Sequence, residues 1–283
     1  MYSLPLFKCH STDLVSVGVV MTLGNTYTGH FDPVDDDSRV LGRIKERTGH
    51  RIPIHVDAAS RGFIAPFLNR PDFRWDFSNQ YVDSINASGH KFGMTPPTIG
   101  WIIWRDDQCL PDGMVYRSSY LRGDNSSCTL TFSQSSYALV VQYYNLMRLG
   151  RQGFERSTNY CIDQCRQLAT LLESTGWFKN LGGTETLKHT GTADKSSRLT
   201  ALALPVIALS IESDIKQNHS LITEEKLSEE LFRKGYSVPC ATLLGGKDNK
   251  KILRIVIRPE MTEALLSSLY NTLYDIVHEL LSK

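Results

Sequence analysis

The sequence predicts an α/β protein with a mostly parallel sheet, followed by a smaller α+β unit that starts near residue 150. Two observations carry this. Up to residue 104, apolar β-branched runs alternate with a polar-faced helical segment, and the runs are continuous, as in strands buried on both faces. Beyond residue 150 the pattern changes to short strands with charged or one-faced helices.

In order along the chain, residues 14–23 form a β-branched run that suits a buried parallel strand and stops at the turn-rich stretch Gly24 to Gly29. Residues 35–48 read as a helix with a polar face. Residues 52–56 are a second strand, stopping at Asp57, and residues 81–86 a third, leading into Ser88-Gly89-His90-Lys91. Residues 100–104 are a fourth. Residues 135–174 are helical with a weak point from Gly150 to Gly153, where glycine lowers helix propensity. Strands follow over 199–212 and 252–258, the latter alternating as if half-buried, with a charged helix over 224–234. The last helix, 260–281, sets Leu265, Leu266, Leu269, Leu273, Ile276, Val277 and Leu280 on one stripe.

Composition narrows the function classes. With 31 basic and 30 acidic residues the net charge is +1, so no basic excess points to nucleic acid or to an anionic membrane. No apolar run reaches the ~18–20 residues that span a bilayer, and residues 1–10 lack the layout of a signal peptide. The cysteines Cys9, Cys109, Cys128, Cys161, Cys165 and Cys240 include no C-x-x-C pair. They are expected to be reduced thiols, which implies a reducing, cytoplasmic compartment.

In open α/β sheets, chemistry gathers at the C-terminal ends of the strands. Thr26, Asp57 and the Ser88–Lys91 group fall there. Asp57 reads either as a turn aspartate or as a partly buried carboxylate that needs a cationic or donor partner. Lys91 reads either as a solvated lysine or, among small residues beside His90, as an amine seated in a pocket. An aspartate and a lysine at neighbouring strand ends suit pyridoxal phosphate (PLP) chemistry. The amine forms a Schiff base with the cofactor aldehyde, and the carboxylate keeps the pyridine nitrogen protonated.

The stretches His55-Val56-Asp57-Ala58-Ala59-Ser60 and Gly62-Phe63-Ile64-Ala65-Pro66-Phe67 resemble the glutamate decarboxylase family. So do Ser84-Ile85-Asn86-Ala87-Ser88-Gly89-His90-Lys91-Phe92-Gly93, Gly100 to Arg105, Gln142 to Leu146, Arg148 to Arg151 and Leu253-Arg254-Ile255. The resemblance runs from about residue 14 to the end. It implies the PLP-dependent transferase fold type I, with an incomplete large domain over 1–150 and a small domain over 151–283. It implies PLP as cofactor, and decarboxylation of L-glutamate to 4-aminobutanoate and carbon dioxide. Lys91 would be the Schiff-base lysine, Asp57 the partner of the pyridinium nitrogen, and Ala59 a contact on the ring. Thr26 would meet the cofactor's phenolic oxygen or the substrate carboxylate. Ser88 and His90 would be phosphate ligands, and Ser133 would reach the phosphate of a neighbouring subunit, so a homodimer is implied. Arg254 would anchor the substrate α-carboxylate, its bland alternative being a strand-surface arginine.

Departures from the family pattern set further expectations. The long N-terminal segment of the family, with its own phosphate and substrate contacts, has no counterpart in the sequence. Arg61 and Arg122 stand where the family has glycine, and Ser133-Gln134-Ser135 replaces a Ser-Arg-Pro run. Two other functions stay open beside glutamate decarboxylation: an inactive shortened relative that binds a full-length decarboxylase, and a PLP decarboxylase for another amino acid. The end of the chain at Lys283 matches neither the regulatory plug of bacterial relatives nor the calmodulin-binding tail of plant ones.

Overall fold

Three parallel strands build the first sheet of the computed structural model, which describes residues 16–68, 73–118, 125–128, 134–182, 204–243 and 250–282. They are β1 (Val19–Thr22), β2 (Ile54–Asp57) and β3 (Val82–Ser88). Between β1 and β2 runs α1 (Val34–Thr48). Asp35, Asp36 and Asp37 in its first turn, and Lys45 and Arg47 in its last, complement the helix dipole. The fourth strand, β4 (Gly100–Trp104), lies antiparallel to β3. The short link from Ser88 to Gly100 has no room for the crossover that a parallel strand needs. The order is β1-β2-β3-β4, so the sheet is mostly parallel, as expected. One face is apolar: Met21, Ile54, Val56 and Ile85 pack with Val34 and Leu41 of α1 and with Phe31 and Trp75.

A small hairpin, β5 (Tyr116–Ser118) with β6 (Asn125–Ser127), precedes the long helix α2 (Tyr137–Ser174). At Gly150 the backbone turns to φ 56°, ψ −171°, which breaks α2 at the expected weak point. The second sheet has the order β7-β8-β10-β9 and is antiparallel, with β7 (Phe178–Asn180), β8 (Val206–Ile211), β9 (Cys240–Thr242) and β10 (Lys251–Val256). Among the described residues three helices accompany it: α3 (Ser213–Asn218), α4 (Glu224–Arg233) and α5 (Glu263–Leu281). Thr223 and Thr262 cap α4 and α5 by accepting from Lys226 N and Leu265 N.

The core of this unit joins Cys161, Cys165, Leu168 and Leu172 of α2 to Leu227 and Leu231 of α4 and to the stripe of α5. Leu266, Leu269, Leu273, Ile276, Val277 and Leu280 are buried as expected, whereas Leu265 is 43% exposed. At 100° per residue it falls about 20° outside the buried arc, at the edge marked by Ile276. In β10 and just beyond it, Leu253, Ile255 and Ile257 face this core, and Arg254 and Val256 take the other face. Ile252 is also fully buried, so the strand is covered on both sides more than its alternation suggests.

The two sheets meet through Ile64, Phe92, Leu204 and Val206, with Phe63 and Val256 packed against them. Leu204 closes on the loop after β1. Its N–H donates to Gly29 O at 3.1 Å, and a Cβ on Gly24 would lie 2.6 Å from its side chain. Among the described residues no helix is long and apolar enough to cross a membrane.

Candidate active site

Register decides what stands together at the carboxyl edge of the first sheet. Thr22 pairs with Asp57, and Asp57 with Asn86. Residues paired across neighbouring strands share a face, so Thr22, Asp57 and Asn86 form a polar row. His55 and Ser84 lie on the same face and are bonded at 2.7 Å between Nδ1 and Oγ. The opposite face is the apolar one that packs on α1. A sheet with one polar, half-buried face at its strand ends can hold a polar ligand without breaking its core.

The loop after β2 is tightly wound. Asp57 Oδ1 accepts the Ala59 N–H at 3.0 Å, an Asx turn that fixes the carboxylate. Ala58 O accepts from Arg61 N and Gly62 N at 2.9 and 2.6 Å. Gly62 is required here, because a Cβ would lie 2.3 Å from Ala87 Cβ on β3. Ser88 N–H donates to Ala59 O at 3.1 Å, which ties this loop to the next.

That next turn carries Lys91, whose Nζ donates to Ser60 Oγ at 3.0 Å. Helix α2 pins the turn from the far side. Gln142, fully buried, donates from Nε2 to Gly93 O at 3.1 Å, and Asn145 donates from Nδ2 to Met94 O at 2.8 Å. Met94 adopts φ 57°, an uncommon value for a non-glycine residue. Asp57, Ala59, Ser88 and Lys91 are thus gathered at one edge by two stitched loops. His90, in the same turn, is exposed. Thr26 is exposed in the turn after β1, at the same edge, within a loop closed by Asn25 N to His30 O at 2.8 Å. Ser133 lies outside the described residues, as does Arg122.

Arg254 arrives from the second sheet. It is half-buried, its Nε has no partner, and burial lowers its pKa from the usual value. It shares a face of β10 with Val256, and Val256 packs on the cluster that includes Phe92, next to Lys91. An unpartnered half-buried guanidinium on that face suits a carboxylate geometrically.

Three residues of the site carry no signal of their role in the sequence. Ser60 holds the Lys91 amine, and Gln142 and Asn145 hold the Lys91 turn. All three lie inside motifs that signal the resemblance but no role. Arg61 was noted as a departure, and its side chain proves fully buried. It stacks 3.8 Å over the Phe31 ring, none of its three guanidinium nitrogens is hydrogen-bonded, and burial pushes its pKa well below the usual value.

The donor set fits a pyridoxal phosphate group. Lys91 offers an amine for the aldehyde, and Asp57 a fixed carboxylate for a ring nitrogen. The orphaned buried atoms Asn86 Oδ1, in the same row, and Arg254 Nε await polar partners.

Comparison with known proteins agrees with this fit. A model of the pyridoxal-dependent decarboxylase conserved domain matches residues 6–183. The chain is 37% identical over 265 residues to a glutamate decarboxylase of Solanum lycopersicum, covering 94% of this chain and 48% of the relative. It is 34% identical over 243 residues to a glutamate decarboxylase of Aliivibrio fischeri, covering 86% and 48%. A solved Lactobacillus brevis glutamate decarboxylase superposes with a TM-score of 0.81 at 34% identity, over 93% of this chain and 55% of that one. Catharanthus roseus tryptophan decarboxylase, at 17% identity and a TM-score of 0.67, shares the fold. The chain spans about half the length of the curated relatives it matches. Its fold is that of PLP-dependent enzymes of fold type I, and the chain belongs to the pyridoxal-dependent decarboxylase family.

Proposed function

We propose that the chain serves a PLP-dependent carboxy-lyase that converts L-glutamate to 4-aminobutanoate and carbon dioxide. The observation that carries this reading is the Lys91 turn stitched beside the fixed Asp57 carboxylate at the sheet edge. The glutamate decarboxylases among its relatives supply the substrate. When bound, the cofactor supplies an electron sink for the carbanion left by loss of carbon dioxide.

The residues divide the work. Lys91 and Asp57 are the catalytic pair. The Lys91 amine would hold the cofactor through its aldehyde, and Asp57 would keep a proton on its ring nitrogen. A unit-charge pair at about 4 Å contributes roughly 4 kcal/mol at an effective dielectric of about 20, enough to keep that proton at neutral pH. Ala59 would pack against the ring. Ser88 and His90 would bind the phosphate, and Ser133 would serve the phosphate of a homodimer partner. Thr26 donates to the phenolic oxygen or to the substrate carboxylate. Arg254 grips the α-carboxylate with a planar guanidinium and so orients the bond to be cleaved. Residues 1–150 form the part of the large domain and residues 151–283 the small domain, the break in α2 at Gly150 supporting that division. The compartment is the cytoplasm.

The test is to add PLP to the purified chain and record its absorption, with Lys91→Ala as control, then to assay carbon dioxide release from a panel of amino acids. A long-wavelength band lost in the variant, with release confined to glutamate, is the expected result. Release from a different amino acid alone would move the substrate assignment. A second reading, an inactive relative that binds a full-length decarboxylase, is favoured by the unpaired charge of Arg61 under the site loop. No band and no release would favour it.

A further inference from the structure

The only side-chain hydrogen bond of Lys91 among the described residues runs to Ser60, a residue without an assigned role. Lysine has a flexible four-carbon stem, and Lys91 is exposed. An amine left to itself there would sample many positions. Ser60 does not. It sits between the Asx turn of Asp57 and Ala59 and the tight contact of Gly62 with Ala87, in a loop whose backbone is bonded to Ser88. A rigid acceptor therefore faces a mobile donor across the two site loops.

We propose that Ser60 is a positioning residue for the Lys91 amine: its hydroxyl oxygen holds the nitrogen against the loop that follows Asp57 whenever that nitrogen is not bonded to cofactor. The inference rests on the reading of Lys91 as the cofactor lysine. In this geometry nitrogen donates an N–H and the serine oxygen accepts. The lone pair of a neutral amine is left unused by the bond and is available to a carbonyl carbon. The same acceptor takes the amine back when substrate displaces it, so the lysine stays beside the reacting centre.

A matched pair of variants tests this. Ser60→Thr keeps the hydroxyl, and Ser60→Val has the same shape without it; Ser60→Ala removes both hydroxyl and bulk. The readout is the second-order rate at which the full chain captures PLP, followed by absorption, with the adduct fixed by borohydride and located by peptide mass. Thermal unfolding of each cofactor-free variant runs alongside. The expected result is capture about tenfold slower in Ser60→Val and Ser60→Ala, the size of one hydrogen bond, with Ser60→Thr near the wild-type rate and the Thr and Val variants unfolding alike. Equal capture by the Thr and Val variants would overturn the role of Ser60 while leaving Lys91 as the cofactor lysine. A wild-type adduct located elsewhere than on Lys91 would overturn the cofactor reading itself, and this inference with it.

Discussion

At residue 61 a guanidinium is buried over an aromatic ring with no acceptor for its N–H groups. Cation–π attraction contributes about 2 kcal/mol at best, against a desolvation cost of several kcal/mol for a buried ion. Arg61→Met keeps the stem and removes the charge, and is expected to raise stability by about 3 kcal/mol, measured by urea unfolding. Arg254 differs because its unpartnered nitrogen lies on the face next to the Lys91 turn. Arg254→Met is expected to raise KM for the amino acid by about 30-fold, roughly 2 kcal/mol, while PLP capture stays near wild type. Cys161 gives a pH signature: burial first, and Glu260 second, push its thiol up to about 12. The folded chain then keeps this proton where the unfolded chain, at about 9, has lost it. Stability intact below pH 9 should fall as pH rises from 9 towards 12, by at most about 1.4 kcal/mol per unit. Cys161→Ala should flatten that fall in urea titrations at pH 8, 9 and 10.

Elements set the Lys91 turn. Helix α2 reaches across with Gln142 and Asn145, and the space beneath is so tight that a Cβ on Gly89 would lie 2.5 Å from Gln142 Oε1. The Gln142→Leu variant leaves the Gly93 carbonyl unpaired in a buried place. It is expected to lower stability by about 1–3 kcal/mol and to weaken PLP capture, read by unfolding and by absorption titration. Sequence marked α2 as a helix and its weak point at Gly150, because periodicity and glycine are local signals. That its first turns brace the site was not legible, since the partners Gly93 and Met94 are far away along the chain.

The whole molecule leaves much apolar surface uncovered. On α2, Tyr137, Val140, Tyr143 and Met147 are 63%, 61%, 65% and 69% exposed, and on the edge strand β4 Ile102 and Ile103 are 49% and 48% exposed. Contiguous apolar patches and bare edge strands promote association. The isolated chain is expected to associate with rising concentration in sedimentation velocity, and Tyr143→Lys with Met147→Lys should shift it towards monomer. An unchanged distribution would place the contact elsewhere.

Which loops carry the chemistry was legible along the chain, and their arrangement across the sheet was not. The apolar runs 14–23, 52–56 and 81–86 stop just before Thr26, Asp57 and Ser88–Lys91; the strands they form are buried on one face only, with Val20 63% exposed, so the expected burial on both faces does not hold. Such signals are local: a strand's hydrophobic run, the turn that ends it, and a motif with fixed spacing. Tertiary structure alone decided the rest. Register placed Asn86 beside Asp57, loop packing brought Ser60 to Lys91, and the pleat of β10 set Arg254 on the same face as Val256, which packs on the Phe92 cluster. It also buried Arg61, which a sequence reads only as a charge next to a glycine. These contacts join residues distant in the chain, and their energies depend on burial and on partners that no local pattern specifies.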